Sequence, residues 1–432
     1  MKIFRCPVHD VIDLSTGDEQ IDKLIIELID SKEFQRLKKV KQLGFASFSY
    51  PSAEHSRFPH SLGVAFIAKE FINKIISLKK QTMKFFEESD LKEKYLHKVE
   101  DFFIELEKDK PLTIVAALLH DIGHGAFSHA TEKITGIDHE KWVRSVILGD
   151  TEINLALCKY DARYPSKICD ILSNSKIISG KIDIDKMDYL LRDSVITGAK
   201  YGKYDIKWLY ECLLVGIHEE EVTIGLDEGK GLGVSEQFIL ARYYMFKYVY
   251  NHKTSLVAQK MLEKLIERLQ ELYKQDKDKY VSNNSLNSIL FLCSSKNYEN
   301  YLKNYLEIKD STYEDLFESL LNSDDEILRA LSLGLSSRKL FKSVDKDEYF
   351  NLKNMYEAKK GKHIAKYHFF HIVIDSYNSG LAYRTNENEV ILFNKKGISS
   401  ELSRKSSVVL SLVQSTTEEI GYFVSADVLK LR

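Results

Sequence analysis

Hydrophobic and polar positions recur at helical spacing along most of the chain. Residues 24–45, LIIELIDSKEFQRLKKVKQLGF, show this periodicity, which predicts a helix that ends at Gly44. Residues 62–78 are mostly apolar and predict a buried helix, whereas residues 83–108 predict a second, more charged one. Long helices are therefore expected over the first part of the chain.

Capping signals predict where the next helix begins. Asp109 is a favourable N-cap residue, and Pro111 would occupy the first turn, where a missing N–H costs least. The helix that follows contains the apolar run IVAALL and is expected to end at His120. Residues 83–120 are thus predicted to form two helices rather than one.

The pattern changes near residue 365, where short runs of β-branched and aromatic residues predict strands. These runs are YHFFHIVIDS (367–376), EVILFN (389–394) and EIGYFVSADV (419–428). The predicted fold class is mainly α, with a helical core and a small C-terminal α+β region. Four regions are expected: an N-terminal leading and regulatory region (1–50), a catalytic core (51–255), a helical region (256–360) and a C-terminal α+β cap (361–432).

Composition and charge narrow the functional classes. The 432 residues are 44% hydrophobic and 29% charged, as in ordinary globular proteins, and the net charge is −2. A near-neutral chain is not expected to bind nucleic acid generically. The five cysteines are scattered without a CxxC pair, which favours a reducing cytoplasm over a disulfide framework. No secretory signal or membrane span is expected.

Titratable residues cluster in four short patches within the predicted core. Polar groups at the end of an apolar run need partners, which makes LLHDIGHGAFSH (118–129) the starting point. The other patches are HSRFPHSLG, DHEKW and KIDIDKMDYLLRDS. Their candidate residues are His55, Arg57, His60, His120, Asp121, His139 and Glu140, together with Asp185, Lys186, Tyr189, Arg192 and Asp193 of the last patch.

An adjacent His and Asp at a helix end can turn toward one point, and Gly123 and Gly125 would supply that end. One imidazole and one carboxylate make half of a mixed N/O metal site. His60 and one Asp of the fourth patch would complete it. The alternative is that these histidines are hydrogen-bonded core residues without a metal.

The fourth patch, if helical, places Asp185, Tyr189 and Arg192 or Asp193 on one face. Carboxylates, a phenol and a cation, with Lys186 at the edge, suit a phosphorylated polar ligand; the alternative is an amphipathic helix with solvated charges. A fifth patch, LARYYMFKYVYNHKTS (240–255), mixes cations with aromatic residues. It predicts either a nucleic-acid surface or, more simply, a packed aromatic face with cations directed toward a neighbouring site.

Together these motifs resemble the HD-domain superfamily of metal-dependent phosphohydrolases. Within it, the chain is similar to the deoxynucleoside triphosphate (dNTP) triphosphohydrolases, the sterile-alpha-motif/HD-like enzymes and their bacterial relatives. The matching segments follow the order of the family from residue 30 to about residue 255. They are QRLKKVKQLG, SRFPHSLGVA, LLHDIGHGAFSH, DHEKW, IDIDKMDYLLRDS and YVYNHK.

The resemblance implies an HD-domain helical core that hydrolyses a dNTP to deoxynucleoside and inorganic triphosphate, by attack of a metal-bound water on the α-phosphorus. It implies a divalent or trivalent transition metal, and N/O ligands alone do not choose among Mn, Fe, Mg, Ni and Zn. The implied metal ligands are His60, His120, Asp121 and Asp185.

The resemblance also implies roles for residues around the metal. The acid–base group at the α-phosphate would be His124, His129, Glu132 and His139, with His129 as the preferred general acid. Glu132 departs from the family, because the best-known relative has Asp there. The triphosphate would be gripped by Arg57, Lys186 and Arg242. Gln42, Tyr189 and Asp193 would contact the sugar, and Leu43 and Tyr250 would exclude a 2′ hydroxyl.

The sequence does not decide whether a nucleotide activates the protein or which substrate it acts on. Asp30 and Gln35 match residues that bind a guanine activator in relatives, but Lys38 replaces an Arg and cannot make its bidentate contact. A homo-oligomer, dimer or tetramer, is implied. Two alternatives remain: an HD phosphohydrolase acting on an alarmone or a nucleoside monophosphate, and a nucleic-acid- or nucleotide-sensing protein with a vestigial site.

Overall fold

The protein folds mainly into α-helices, which confirms the predicted fold class. The structure is a computed structural model and describes residues 3–127, 129–175, 177–178, 183–276, 301–375, 389–414 and 418–431. Within these residues, no helix combines the length and the apolar character that a membrane crossing requires.

The helices of the first half of the chain build the larger core. Helices α3 and α5 pack against each other, and α10 packs across α3. These helices are α1 (Glu19–Asp30), α2 (Lys32–Arg36), α3 (Arg57–Ser77), α4 (Lys79–Glu87), α5 (Lys92–Leu119), α6 (His129–Thr135), α7 (His139–Leu148), α8 (Glu152–Tyr160), α9 (Tyr164–Asn174), α10 (Ile184–Thr197), α11 (Ile206–Glu211) and α12 (Glu228–Met245).

The helices of the second half build a smaller core. Helix α13 packs against α16, and α15 packs on the same helix. A π-helical turn, Phe246–Tyr250, follows directly after α12 and precedes the first of these helices. These helices are α13 (Lys253–Gln275), α14 (Leu302–Glu307), α15 (Asp310–Leu320), α16 (Glu326–Ser336), α17 (Lys346–Lys360), α18 (Lys362–Ala365), α19 (Ser407–Gln414) and α20 (Ala426–Leu429).

The described strands form three small sheets. Strands β1 and β2 form a hairpin, and the other two sheets have the orders β3-β4-β7-β8 and β5-β9-β6. The strands are β1 (Ile3–Cys6), β2 (Asp10–Asp13), β3 (Leu213–His218), β4 (Glu221–Asp227), β5 (Lys342–Val344), β6 (Phe369–Asp375), β7 (Ile391–Phe393), β8 (Ser399–Glu401) and β9 (Glu418–Val424).

The three predicted C-terminal strands are present as β6, β7 and β9. The hairpins β1–β2 and β3–β4 were not predicted from the sequence. Strand β7 runs parallel to β4, with Leu392 opposite Leu226, and so joins the C-terminal region to the middle of the chain. This pairing links positions far apart in sequence, which local patterns do not show.

The prediction of a single helix over residues 24–45 that ends at Gly44 is wrong. Helix α1 ends at Asp30, because the Ser31 side chain accepts a hydrogen bond from the Phe34 N–H and so begins α2 instead. A short 3₁₀ turn follows, and Lys41 then pairs with Ser56 in an isolated bridge. Gly44 begins a second 3₁₀ turn. Residues 31–48 therefore follow a bent path instead of one straight helix.

The helix start predicted at Asp109 is also wrong. Helix α5 continues through Pro111 without a break at that position. Buried residues lie on both sides of the proline, with Phe103 before it and Ile114 after it, in the same core. Tertiary packing on both sides therefore outweighs the hydrogen bond that proline cannot donate.

Replacing this proline tests whether α5 is continuous. We expect Pro111→Ala to raise the free energy of unfolding by about 1–2 kcal/mol, because alanine restores a helical N–H donor while the unfolded chain gains some freedom. Thermal and urea unfolding would measure the change, with the exposed Lys108→Ala in the same helix as the control. A lower stability for Pro111→Ala alone would indicate two helices with a start near Asp109.

Candidate functional site

Three helices bring the predicted metal ligands together. His60 lies in the first turn of α3, His120 and Asp121 directly follow α5, and Asp185 lies in the first turn of α10. The His60 Nε2 atom is 3.0 Å from the Asp185 carboxylate and 3.3 Å from His120 Nε2. His120 Nε2 is 3.3 Å from Asp121 Oδ1. The four side chains thus meet at one point.

Hydrogen bonds at the far side of each imidazole orient the two histidines. His120 Nδ1 lies 2.8 Å from the Ala117 carbonyl, which can only accept a hydrogen bond. His60 Nδ1 lies 2.8 Å from an oxygen of the buried Asp188. With protons on both Nδ1 atoms, the two Nε2 lone pairs face each other and the carboxylates. A hydrogen bond of this kind, at the ring nitrogen that faces away from the ligand cluster, is typical of metal-ligating histidines.

This convergence of acceptors requires positive charge. Burial opposes protonation of His60, yet hydrogen bonds with Asp185 and Asp188 raise the pKa of its imidazole to about 10. Either a proton or a cation must therefore compensate the carboxylates. The ligand atoms of His60, His120 and Asp185 all lie within 4.8 Å of one another, and their N/O chemistry fits a divalent metal ion.

The two carboxylate oxygens of Asp121 contact different partners, one the Arg57 guanidinium and the other the His120 imidazole. Its Oδ2 atom accepts a hydrogen bond from Arg57 Nη1 at 2.6 Å, while Oδ1 faces His120 and lies 3.3 Å from His124 Nε2. Burial works against ionisation, but Arg57, His120 and His124 hold the pKa of Asp121 well below its usual value. Asp121 is therefore an anion, and one of its oxygens is available beside the histidines.

Asp188 is an important residue that the sequence analysis missed. Its carboxylate accepts from Arg192 through two atoms, at 2.7 and 2.8 Å, and lies 2.6 Å from His9 Nε2. A Cβ atom added at Gly63 of the facing helix would lie 1.9 Å from Asp188 Oδ1. The available signal was the spacing of Asp188 one turn after Asp185 on the same helix.

A second titratable group lies beside the metal ligands. His139 Nδ1 is 2.6 Å from Glu132 Oε1, and the rings of His139 and His124 stack with centroids 3.9 Å apart. Burial and the nearby Arg57 lower the pKa of His124 to about 3, whereas Glu132 overcomes burial and raises that of His139. The side chain of His129, the preferred general acid, lies outside the described part of the structure.

The metal ligands open onto a cavity of about 660 Å³. Two residues of its lining are joined by a hydrogen bond, in which Tyr250 donates to Asp193 at 2.8 Å. His55, which is not part of the described lining, holds the other Asp193 oxygen, 2.8 Å from its Nε2 atom. The predicted substrate residues found in the lining are Gln42, Leu43, Arg57, Tyr189, Asp193 and Tyr250.

The other predicted substrate and activator residues lie elsewhere. Among the described residues that line the cavity, Lys186 and Arg242 do not appear; Lys186 pairs with Asp183, and Arg242 lies over the Phe246 ring. The predicted activator residues are near one another at the surface, where Lys38 donates to Gln35 at 2.7 Å and Asp30 ends α1.

The loop that carries His120, Asp121 and His124 is held by contacts that the sequence analysis did not identify. Arg36 donates to the His124 carbonyl at 2.9 Å, and Tyr305 donates to the Gly123 carbonyl at 2.7 Å. Gly123, predicted as a helix end, is needed for close packing instead, since an added Cβ would lie 2.3 Å from the Val143 nitrogen.

Asp310 connects two walls of the cavity. Its Oδ1 accepts from the Phe127 N–H at 2.8 Å, and its Oδ2 accepts from the Lys41 N–H at 2.5 Å. Phe127 has a positive φ of 50° and stacks on Phe45, with ring centroids 4.3 Å apart. One buried carboxylate from α15 therefore fixes both the loop that carries His120, Asp121 and His124 and the segment that contains Gln42.

Substitution of this carboxylate tests its positioning role. We expect Asp310→Asn to lose one acceptor and to place an NH₂ group against a backbone N–H, which costs about 2–3 kcal/mol. Metal content should be retained while turnover falls, since no metal ligand changes. The exposed Asp315→Asn on the same helix is the control. Equal turnover in Asp310→Asn and the wild type would contradict the assignment.

Comparisons with known proteins agree with this geometry. The family model of the HD domain matches residues 57–193, and that of the HD-associated region matches residues 213–310. The chain is 30% identical over 431 residues to the uncharacterized protein YwfO of Bacillus subtilis (strain 168), covering 95% of this chain and 89% of that protein.

Two further relatives agree with this family. A deoxynucleoside triphosphate triphosphohydrolase SAMHD1 homolog of Dictyostelium discoideum is 28% identical over 278 residues, covering 57% of this chain and 46% of that protein. The solved structure of a phosphohydrolase from Bacteroides thetaiotaomicron VPI-5482 shares the fold, with a TM-score of 0.75 and 24% identity over 98% of both chains. The chain belongs to the HD-domain phosphohydrolases and carries the HD-associated region.

Proposed function

We propose that the protein hydrolyses dNTPs to deoxynucleoside and inorganic triphosphate at the His/Asp cluster. The observation that carries this proposal is that Tyr250 and Asp193, which are joined by a hydrogen bond, line the same cavity as the predicted metal ligands. A cavity of about 660 Å³ is in the range of small-molecule sites. The Dictyostelium relative is named as a deoxynucleoside triphosphate triphosphohydrolase, which supports the same substrate class.

His60, His120, Asp121 and Asp185 are proposed to hold the metal ion, one of Mn, Fe, Mg, Ni or Zn. A metal ion held there would lower the pKa of water and so would supply a hydroxide-like nucleophile for the α-phosphorus near neutral pH. The chain's own contribution is orientation. Arg57 keeps one oxygen of Asp121 occupied, so that the other is directed toward His120.

The second titratable group is proposed to act at the α-phosphate. Glu132 favours the protonated form of His139, which places positive charge next to the phosphate, while His124 stays neutral. His129 is proposed as the general acid that protonates the leaving 5′ oxygen, a role that an imidazole can perform near neutral pH. This assignment rests on the family resemblance.

The cavity wall is proposed to recognise the sugar. Asp193, Tyr189 and Gln42 would contact the 3′ hydroxyl, and Leu43 and Tyr250 would lie against carbon 2′. The Tyr250 hydroxyl already donates to Asp193, so the phenol presents mainly its ring to a ligand. A 2′ hydroxyl placed there would lose its water partners without gaining a hydrogen bond, which disfavours ribonucleotides.

The remaining proposals concern the phosphates, regulation and assembly. Lys186 and Arg242 are proposed to contact the triphosphate together with Arg57, which requires Lys186 to leave its ion pair with Asp183. Asp30, Gln35 and Lys38 are proposed to bind a nucleotide activator between subunits of a homo-oligomer. The exposed position of Lys38 is compatible with such an interface.

One observation favours a second candidate function. Of the three cations predicted to contact a triphosphate, Lys186 is paired with Asp183, and neither it nor Arg242 is among the described residues that line the cavity, so Arg57 alone of this set lies beside the predicted metal ligands. A nucleoside monophosphate would require fewer cations than a triphosphate. Hydrolysis of a monophosphate by the same cluster is therefore the alternative substrate class.

A substrate panel separates the two functions. We expect the purified protein with Mn²⁺ or Mg²⁺ to convert dNTPs, singly or mixed, to deoxynucleoside and intact triphosphate, with products resolved by chromatography. Ribonucleoside triphosphates should be turned over more slowly because of the Leu43 and Tyr250 wall. Turnover of monophosphates without turnover of dNTPs would favour the second candidate, and activity only in mixtures would indicate an activator site.

Removal of a ligand tests the metal centre directly. We expect Asp185→Asn to lose bound metal and to reduce turnover by at least about 100-fold, because the neutral amide is a poor ligand for a site of this charge. Metal content after dialysis would be measured by mass spectrometry. The exposed Asp170→Asn is the control. Full metal content in Asp185→Asn would exclude Asp185 as a ligand.

A further inference from the structure

The cavity extends beyond the metal ligands along α7. This helix begins at His139, whose ring stacks on His124, and its next residues contribute one carboxylate, two cations and an apolar side chain to the lining: Glu140, Lys141, Arg144 and Val143. Arg144 lies five residues after His139, or about 7.5 Å along the helix axis. The cavity is therefore long enough to hold a ligand that continues past the reacting centre.

This extension has an apolar floor and two cations at its rim. Val143 and Cys169 are buried, with 6% and 4% of their surfaces exposed, and both line the cavity. Lys141 and Arg144 are exposed and lie three residues apart, on one side of α7. Arg144 is close enough to Cys169 to favour its thiolate electrostatically, although burial raises the pKa of that thiol overall.

These two cations differ from the other cations of the site in their partners. Arg57 donates to Asp121, and Lys186 pairs with Asp183, so both already compensate a carboxylate. In the described part of the chain, Lys141 and Arg144 form no ion pair with a carboxylate. Their charge is therefore available to an anionic ligand in the cavity.

We propose that Lys141 and Arg144 form a subsite for the distal phosphates of the substrate, so that the enzyme selects for phosphate-chain length. The proposal rests on the proposed function insofar as the ligand is phosphorylated. The α-phosphate lies at the metal ligands, and the chain of phosphates runs past His139 along α7. Arg144 can bind a terminal phosphate through two N–H groups, and Lys141 adds a point charge.

Binding of inorganic phosphates tests the subsite without any turnover. The probes are orthophosphate, pyrophosphate and triphosphate, titrated calorimetrically into metal-loaded protein without free metal. We expect affinity to increase with chain length in the wild type. In the double variant Lys141→Ala/Arg144→Ala, the triphosphate Kd should rise about tenfold or more, while the orthophosphate Kd changes less than about twofold.

Two further variants make the result specific. Lys167→Ala removes an exposed charge from the neighbouring helix α9 outside the cavity, and its Kd values should equal those of the wild type. Arg144→Lys keeps the charge and should recover part of the triphosphate affinity. Equal weakening for all three phosphates, or no weakening for triphosphate in the double variant, would overturn the proposal.

Kinetics then separate this proposal from the proposed function. If dNTPs are hydrolysed, the double variant should raise KM for the triphosphate about tenfold and leave the kcat within about twofold. Hydrolysis with an unchanged KM would overturn the subsite and leave the function in place. If dNTPs are not hydrolysed but triphosphate binding still depends on both cations, the proposed function fails and the subsite is supported.

Discussion

The buried carboxylate of Asp188 is the contact on which the metal centre depends. It joins His60 of α3 to Arg192 of its own helix and to His9 beside the N-terminal hairpin. All these groups are buried, so loss of one partner would leave a charge without compensation. By fixing the proton on His60 Nδ1, Asp188 directs Nε2 toward the other ligands. The turn between β1 and β2 thus helps to orient His60.

Sequence patterns identified the residues of the His/Asp cluster better than the groups that support them. His60, His120, Asp121 and Asp185 lie in short motifs whose residue types reveal their chemistry. Asp310, in contrast, is an ordinary helix-start residue, and its partners Phe127 and Lys41 lie 183 and 269 positions away. No local period or motif encodes such contacts, because they arise only when the two cores pack together.

The same distinction explains the errors in secondary structure. Pro111 is a strong local signal for a helix boundary, yet the buried residues on both sides make continuation more favourable. Ser31 has the opposite effect on the helix at its position. Its side chain accepts one hydrogen bond, from the Phe34 N–H, and the helix ends there although the hydrophobic periodicity of the sequence continues. The bend that results brings Gln42 into the cavity wall. The local deviation is therefore what places a candidate substrate residue.

The stacked rings of His124 and His139 give a structural reason for Glu132, which stands where the best-known relative has Asp. Two protonated imidazoles with centroids 3.9 Å apart would repel each other strongly. Glu132 is one methylene longer than Asp and reaches His139 Nδ1 at 2.6 Å, which favours protonation of that ring. Burial and Arg57 keep His124 neutral. Protonation of the stacked pair is therefore favoured at His139 and disfavoured at His124.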